Sequence, residues 1–275
     1  MKNLPDRLQK LIDAARRAEP SKEAAATGLH SLDLTSLNDD DTPEKIDVLV
    51  KKADQGALGH VAATCVYPKF LTQVFNATAK KGIGNATVLN FPAGTGAPEQ
   101  TYLDTKKAIL AGATEVDIVL DYNSFLKGDV ATAKALLDAC REASAGFAKM
   151  KVILESSTFE DYRDLSAASR LAIESGADFI KTSTGKSATG GASLEAAATM
   201  LEAIIDSGRD VGLKVSGGVK TVGDCAQYIA LSKSMMGDSW ISTQHFRIGA
   251  SGVLTDILKT LGQATAPAAP SAPGY

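Results

Sequence analysis

The sequence predicts an α/β fold, a (β/α)8 TIM barrel, and three observations support that prediction. The chain has 275 residues, which fits one barrel of about 250 residues with short extensions. Eight short apolar stretches alternate with helical patterns at intervals of roughly 25 to 35 residues. Glycine follows three of the helical patterns, at Gly112, Gly176 and Gly208. A doubly wound open sheet is the alternative, but no Gly-x-Gly-x-x-Gly turn follows the first strand.

The eight strands are predicted from short runs rich in Val, Ile, Leu and Thr. They are centred on residues 32–35, 63–67, 87–90, 116–119, 152–155, 179–181, 213–215 and 246–248. Two of the helices between them have clear N-caps. Thr42 precedes the helix at 43–52, and Ser193 precedes the helix at 194–205.

The barrel is expected to span residues 29–262, with an extension at each end. Residues 1–28 are predicted to form an N-terminal helical extension, because apolar residues recur at helical spacing before Pro20. We expect this helix to cover one mouth of the barrel or to form a subunit contact. Residues 263–275 are rich in Ala and Pro, which predicts a flexible tail ending in Tyr275.

Composition argues against several classes of partner. A net charge of −3 and a pI near 5.7 give no reason to expect binding to nucleic acid or to a membrane. No apolar run is long enough for a membrane span or a signal sequence. The scattered cysteines, Cys65, Cys140 and Cys225, favour reduced thiols and a cytoplasmic location. The three histidines lack ligand spacing, so no metal site is predicted.

Alternation of side chains along the strands sends charged residues into the barrel. The outer face of each strand must be apolar where it meets the helices, so a polar residue between two apolar ones points inward. This rule gathers four residues in one interior: Asp33, Asp117, Lys181 and Lys214. It also points Lys151 and Glu155 to the lumen, and we expect Gly212 to leave room beside Lys214.

Lys181 is the most informative of these residues. It lies in an apolar strand, where desolvating an ammonium costs several kcal/mol unless the group is paired or neutralised. One interpretation is a structural ion pair; the other is a neutral amine that attacks carbonyl carbon. A dense group of buried charges near the carboxyl ends of barrel strands favours the catalytic interpretation.

Glycine-containing turns follow the last three predicted strands, at residues 184–186, 216–220 and 249–252. Such turns expose backbone N–H groups to an anion, and Lys186 or Lys220 could assist. Barrels commonly hold phosphate in the loops after strands seven and eight. The expected ligand is therefore a phosphorylated small metabolite.

These segments resemble the deoxyribose-phosphate aldolase family. The matching segments are residues 32–41, 65–68, 90–92, 115–119, 178–186, 214–218 and 246–251. The run Asp-Phe-Ile-Lys-Thr-Ser-Thr-Gly-Lys around Lys181 is the most specific of them. The resemblance is closest to the longer, enterobacterial-type branch, whose members also end in a mobile tail with a terminal tyrosine.

The resemblance implies a class I aldolase that works through a Schiff base without metal or cofactor. Such an enzyme reversibly cleaves 2-deoxy-D-ribose 5-phosphate to D-glyceraldehyde 3-phosphate and acetaldehyde in deoxyribonucleoside catabolism. By position, Lys181 would form the Schiff base, and Lys214 would lower the pKa of Lys181 as a neighbouring cation. Asp117 would relay protons with support from Asp33, and Tyr275 could move the enamine proton.

The resemblance also assigns the contacts to the substrate. The substrate-binding residues would be Thr35, Asn38 and Cys65. The phosphate-binding residues would be Gly185, Lys186, Gly217, Gly218, Lys220, Gly249, Ser251 and Gly252. Three positions depart from the family: Lys220 replaces a common arginine, Gly252 a common serine, and Ser216 an alanine or proline. The expected partners are small phosphosugars and aldehydes, with a homodimer possible.

Other functions share parts of this pattern. A phosphosugar isomerase or epimerase would have similar phosphate loops but would form no imine. A transaldolase would form an imine with a ketose donor. A non-catalytic phosphosugar-binding regulator would not need the lysine pair. Capture of an imine with borohydride and acetaldehyde distinguishes most of these alternatives.

Overall fold

The computed structural model describes residues 1–263 and contains a closed barrel of eight parallel strands. Each strand pairs with the next along the chain, and β8 pairs with β1. The strands are β1 Leu32–Ser36, β2 Ala63–Val66, β3 Gly84–Leu89, β4 Glu115–Val119, β5 Lys149–Ile153, β6 Phe179–Lys181, β7 Gly212–Ser216 and β8 Phe246–Ala250. The predicted (β/α)8 barrel is confirmed.

Helices surround this barrel, and two more precede it. They are α1 Asp6–Ala15, α2 Lys22–His30, α3 Pro43–Ala53, α4 Leu71–Thr78, α5 Pro98–Leu110, α6 Tyr122–Leu126, α7 Val130–Ser144, α8 Tyr162–Glu174, α9 Leu194–Ser207, α10 Val222–Met236 and α11 Val253–Thr260. The hydroxyls of Thr42 and Ser193 cap α3 and α9 as the sequence predicted, each accepting a hydrogen bond from a backbone N–H in the first turn.

The eight strands lie where the sequence predicted them, with small shifts at β3 and β5. β5 ends at Ile153, although the prediction was centred on residues 152–155. The reason is local: Glu155 has a left-handed backbone conformation, with φ 53° and ψ 57°, and leads into a short 3-10 helix. An L-residue in that conformation cannot continue a strand.

Outward-facing strand residues form the main core with the helices. Leu34, Val116, Ile118, Ile180 and Leu213 all belong to one buried cluster with apolar residues from the surrounding helices. Apolar packing of this kind removes these side chains from water at about 25 cal/mol per Å². The alternating inward positions are left for the polar residues described below.

The N-terminal extension contains two helices where the sequence predicted one. α1 packs against α9 and α10 on the outside of the barrel, and α2 packs against α10 and α11. Ser21 caps α2 and accepts a hydrogen bond from Ala24 N, a start signal that the prediction overlooked. The carboxylate of Glu202 on α9 contacts Arg7 of α1 and accepts a hydrogen bond from the Tyr162 hydroxyl of α8, so it joins the three helices.

Within residues 1–263, no helix is both long and apolar enough to cross a membrane. All three cysteines are buried and carry free thiols. The expected tail at 263–275, with Tyr275, lies almost wholly outside the described residues.

Gly212 makes room for a different side chain than we expected. A Cβ on Gly212 would meet the Phe179 ring and would lie 2.7 Å from the His245 carbonyl oxygen. Gly212 therefore accommodates the Phe179 ring, not Lys214. The glycine beside Lys214 is Gly249, where a Cβ would lie 3.0 Å from Lys214 Cε. The space beside Gly212 is therefore filled by a side chain of the neighbouring strand β6 and not by Lys214, two positions further along β7.

We expect Gly212→Ala to destabilise the fold by about 1–3 kcal/mol, because the added methyl overpacks the barrel. Gly223→Ala in α10 is the matched control, since its Cβ would meet only Thr221 Oγ1, at 3.5 Å. Urea unfolding would measure both variants. Equal stability of the two variants would contradict the account of Gly212.

Candidate active site

Seven charged side chains from six strands meet inside the barrel and form what we call the lumen cluster. Its members are Asp33, Glu115, Asp117, Lys151, Lys181, Lys214 and Arg247, all buried. Contacts between oppositely charged groups join them into one network. Parity had pointed five of these residues into the interior, namely Asp33, Asp117, Lys151, Lys181 and Lys214.

Asp117 lies at the centre of this cluster. Its Oδ2 accepts hydrogen bonds from Lys181 Nζ and Lys214 Nζ, each at 2.8 Å. Its Oδ1 accepts from Lys151 Nζ at 2.9 Å. One carboxylate is therefore shared by three lysines, and it joins Lys181 to Lys214 through a single oxygen atom.

Asp33 ties the same lysines to an arginine. Its Oδ2 lies 2.5 Å from Lys214 Nζ and 3.3 Å from Lys151 Nζ, and its Oδ1 accepts from Arg247 Nη1 at 2.6 Å. Arg247 also donates to the Thr243 carbonyl at 2.7 Å. Thr243 precedes β8, so the guanidinium reaches toward the amino-terminal end of the barrel.

Glu115, Lys151 and Arg247 were absent from the predicted site. Glu115 accepts from Arg247 Nη2 at 3.0 Å and also contacts Lys151 Nζ. The parity rule had already pointed Lys151 to the lumen, and it could have found the other two. Glu115 shares a strand face with Asp117, and Arg247 lies between the apolar Phe246 and Ile248.

The pKa of Lys181 is lowered from its ordinary value of 10.5, and burial is the largest cause. Asp117 opposes that shift, and the positive charge of Lys214 adds to it. We expected Lys214 to be the main cause, so its contribution was overestimated. Desolvation of the amine contributes more than the neighbouring cation does.

Lys214 and Lys151 are equally buried, yet their pKa values are raised. Burial would lower both, but Asp117 and Asp33 outweigh it for each lysine, and Glu115 acts on Lys151 as well. Lys181 contacts one carboxylate, Lys214 two and Lys151 three. The direction of the pKa shift thus follows the number of carboxylate partners.

The charges of the lumen cluster balance only if one basic group is neutral. Burial would raise the pKa values of its three carboxyl groups, but the basic groups lower all three, so they remain ionised. Four basic groups face those three anions. Lys181 is the member that can give up its proton at least cost, because it has the fewest partners.

A cavity opens beside Lys181 at the carboxyl ends of the strands. Several predicted contact residues line it: Thr35, Gly185, Gly217, Gly218, Gly249 and Ser251. Gly217 has φ 82°, and a Cβ on Gly191 would lie 2.8 Å from Gly217 Cα, so the two loops approach closely. A larger groove lies beside α5 but contains no member of the lumen cluster.

Other predicted contact residues do not line this cavity. Lys186, Lys220 and Gly252 lie outside its wall. The Asn38 amide donates to Ser36 Oγ and Asp41 Oδ1 at 3.1 and 3.3 Å, so it braces its own loop.

Cys65 is fully buried in a small apolar cluster on the inner side of β2. Burial raises the pKa of its thiol, so the sulfur stays protonated.

Tyr275 lies outside the described residues. Within residues 1–263, no group of three or more His, Cys, Asp or Glu side chains is arranged to hold a metal ion.

Loops after β6 and β7 are tied together next to Lys181. The Ser216 hydroxyl donates to the Ser183 carbonyl at 2.5 Å, and the Thr182 hydroxyl donates to the Ser216 carbonyl at 3.0 Å. Ser216, one of the departures from the family pattern, therefore makes a hydrogen bond that alanine or proline could not make.

The chain is similar to aldolases of known sequence. Residues 27–256 match the model of the DeoC/LacD family aldolases. A deoxyribose-phosphate aldolase of Agrobacterium fabrum is 44% identical over 241 residues, which cover 87% of this chain and 92% of the relative.

The fold is also similar to that of solved deoxyribose-phosphate aldolase structures. A candidate deoxyribose-phosphate aldolase from Coccidioides immitis superposes with a TM-score of 0.76 at 27% identity, covering 94% of this chain and 99% of that one. A tetrameric deoxyribose phosphate aldolase from Aeropyrum pernix has a TM-score of 0.72 at 23% identity, covering 92% and 97%, and supports the fold alone. The family match spans most of the chain, and the chain belongs to the DeoC/LacD family of aldolases.

Proposed function

We propose that this protein is a class I aldolase that reversibly cleaves 2-deoxy-D-ribose 5-phosphate to D-glyceraldehyde 3-phosphate and acetaldehyde. The observation that carries the proposal is a buried lysine with a lowered pKa beside a glycine-lined cavity. The substrate is that of the Agrobacterium fabrum relative.

In this mechanism the neutral amine of Lys181 adds to the aldehyde carbon of the open-chain sugar and forms a carbinolamine. Loss of water gives an iminium ion, which draws electrons from the C2–C3 bond. The C3 hydroxyl loses its proton, the C2–C3 bond breaks, and D-glyceraldehyde 3-phosphate leaves. Protonation of the enamine at C2 and hydrolysis of the resulting iminium release acetaldehyde and free the amine.

Asp117 is the proposed proton shuttle, because its Oδ2 contacts both Lys181 and Lys214. The lysines hold the pKa of Asp117 low, so the carboxylate is ionised at rest and carries a proton only transiently during transfer. Lys214 stays charged because Asp117 and Asp33 raise its pKa. The contact between Asp33 and Lys214 gives Asp33 a supporting role.

The phosphate group is assigned to the turns after β6, β7 and β8. Gly185, Gly217 and Gly249 line the cavity that Lys181 also lines, which supports an anion site close to the amine. Thr35 and Ser251 line the same cavity and are the proposed hydroxyl contacts. Lys186 and Lys220 contribute positive charge from outside the wall.

We place the enzyme in the cytoplasm, in keeping with three buried free thiols. A homodimer and a role for Tyr275 in moving the enamine proton stay predictions.

Lys181→Leu should abolish aldol cleavage, because the raised pKa values of Lys151 and Lys214 keep those two amines protonated. Borohydride added with acetaldehyde should reduce the imine and label wild-type Lys181, detected by mass spectrometry of the peptide. Lys134→Leu is the control, since Lys134 is an exposed residue that pairs with Asp138 on the surface of α7. Labelling of another residue in the wild type, or turnover by Lys181→Leu, would refute the assignment. An isomerase or epimerase would show no trapping with acetaldehyde.

Two substitutions should move the pKa of Lys181 in opposite directions. Lys214→Met removes a positive charge, so the protonated form of Lys181 becomes easier to keep and its pKa rises. Asp117→Asn removes the single carboxylate partner of Lys181, so its pKa falls. The rate of borohydride trapping should increase with pH as Lys181 loses its proton. Compared with the wild type, the midpoint of this increase should lie at a higher pH in Lys214→Met and at a lower pH in Asp117→Asn.

The kcat of both variants should also fall by about 10²–10⁴-fold, because Lys214 and Asp117 take part in the proposed proton transfer. Glu160→Gln, an exposed residue paired with Lys2, is the control for both measurements. An unshifted trapping profile in Lys214→Met would contradict the coupling between the two lysines.

A further inference from the structure

Glu155 is a buried carboxylate that the proposed mechanism does not use. Only 1% of its surface is exposed, and it lies two residues beyond the carboxyl end of β5. The backbone on both sides of it is fixed to the end of β6. Leu154 N donates to the Lys181 carbonyl at 2.9 Å, and Ser156 N donates to the Thr182 carbonyl at 2.7 Å.

The carboxylate holds the turn that follows β6. Its Oε2 accepts hydrogen bonds from Thr184 N, at 3.2 Å, and from the Thr184 hydroxyl. The Thr184 hydroxyl in turn accepts from Lys186 N at 3.0 Å. Glu155 therefore fixes the Thr184–Gly185–Lys186 turn through both the backbone and the side chain of Thr184.

The same turn forms part of the cavity wall beside Lys181. Thr184 and Gly185 both line that cavity, and Gly185 has φ 78°. Because the Thr184 hydroxyl donates its single hydrogen to Glu155, it can offer only lone pairs to other groups. The direction of the hydroxyl and the shape of the turn are set before any ligand enters.

Stability alone does not account for Glu155. The left-handed backbone of a non-glycine residue is strained, and a buried carboxylate is costly to desolvate. Its second oxygen, Oε1, is buried and accepts no hydrogen bond from residues 1–263. Burial also raises the pKa of Glu155, and the hydrogen bonds from Thr184 offset this only in part. Costs of this kind concentrate at functional sites.

We propose that Glu155 is a positioning residue that holds the Thr184–Gly185–Lys186 turn in the shape that accepts phosphate, and so sets the preference for phosphorylated substrates. The inference rests on the proposed function. It separates two tasks in the site: the lumen cluster controls the amine of Lys181, whereas Glu155 controls the anion turn next to it.

The test compares 2-deoxyribose 5-phosphate with unphosphorylated 2-deoxyribose. In Glu155→Ala, kcat/KM for the phosphorylated sugar should fall by about 10- to 100-fold, mainly through KM, because buried donors lose their acceptor. Activity on 2-deoxyribose should change by less than about threefold, since the phosphate turn contributes nothing to it. The ratio of the two kcat/KM values should therefore collapse.

Matched variants separate positioning from a general structural effect. Glu155→Gln should retain most of the preference, because an amide oxygen can still accept from Thr184. Thr184→Val should lose the preference as Glu155→Ala does. Glu160→Ala, an exposed glutamate in the same loop, should leave both substrates unaffected. Thermal unfolding of each variant identifies any that fail to fold. If Glu155→Ala does not fold, the comparison of Glu155→Gln with Thr184→Val tests the proposal.

Borohydride trapping with acetaldehyde distinguishes the two proposals. If wild-type Lys181 is not labelled, the proposed function fails. If wild type and Glu155→Ala are both labelled but activity on both sugars falls equally, the positioning role is wrong. Labelling in both, with loss confined to the phosphorylated sugar, supports the inference.

Discussion

The number of carboxylates that each buried lysine contacts is the constraint on which the site depends. Lys151, Lys181 and Lys214 are all removed from water, so burial penalises each charge in the same direction. Lys151 and Lys214 have enough anionic partners to remain charged, whereas Lys181 shares its single partner with both of them. A closed barrel makes this distribution possible, because inward positions of six strands face one narrow interior.

The sequence predicted the barrel and the central residues of the site because both follow from simple periodicities. Strands alternate with helices, and inward residues alternate with outward ones, so Asp33, Asp117, Lys181 and Lys214 could be placed together. The same rule, applied to every residue of each strand, would have added Glu115 and Arg247.

Other features could not be read from the chain because they depend on distances between elements. Gly212 could not be assigned to Phe179 without the stagger between neighbouring strands. The relative weight of burial and of Lys214 on the pKa of Lys181 required the actual contacts. Loops have no period, so the hydrogen bonds from Asn38 to Ser36 and Asp41 could not be predicted from the sequence.

An apolar lining would make a more stable barrel, since buried ion pairs stabilise less than well-packed apolar groups. Lys181 with no carboxylate partner would be neutral and nucleophilic, but the iminium formed on it would be a cation without a counter-charge. With three partners, as at Lys151, the amine would stay protonated and could not attack. A single shared carboxylate lies between these limits: it leaves the amine free to lose its proton and still faces the cation that forms on the same nitrogen. Under the proposed mechanism, the remaining charges of the lumen cluster keep Asp117 ionised. They also hold its carboxylate in hydrogen bonds with all three lysines.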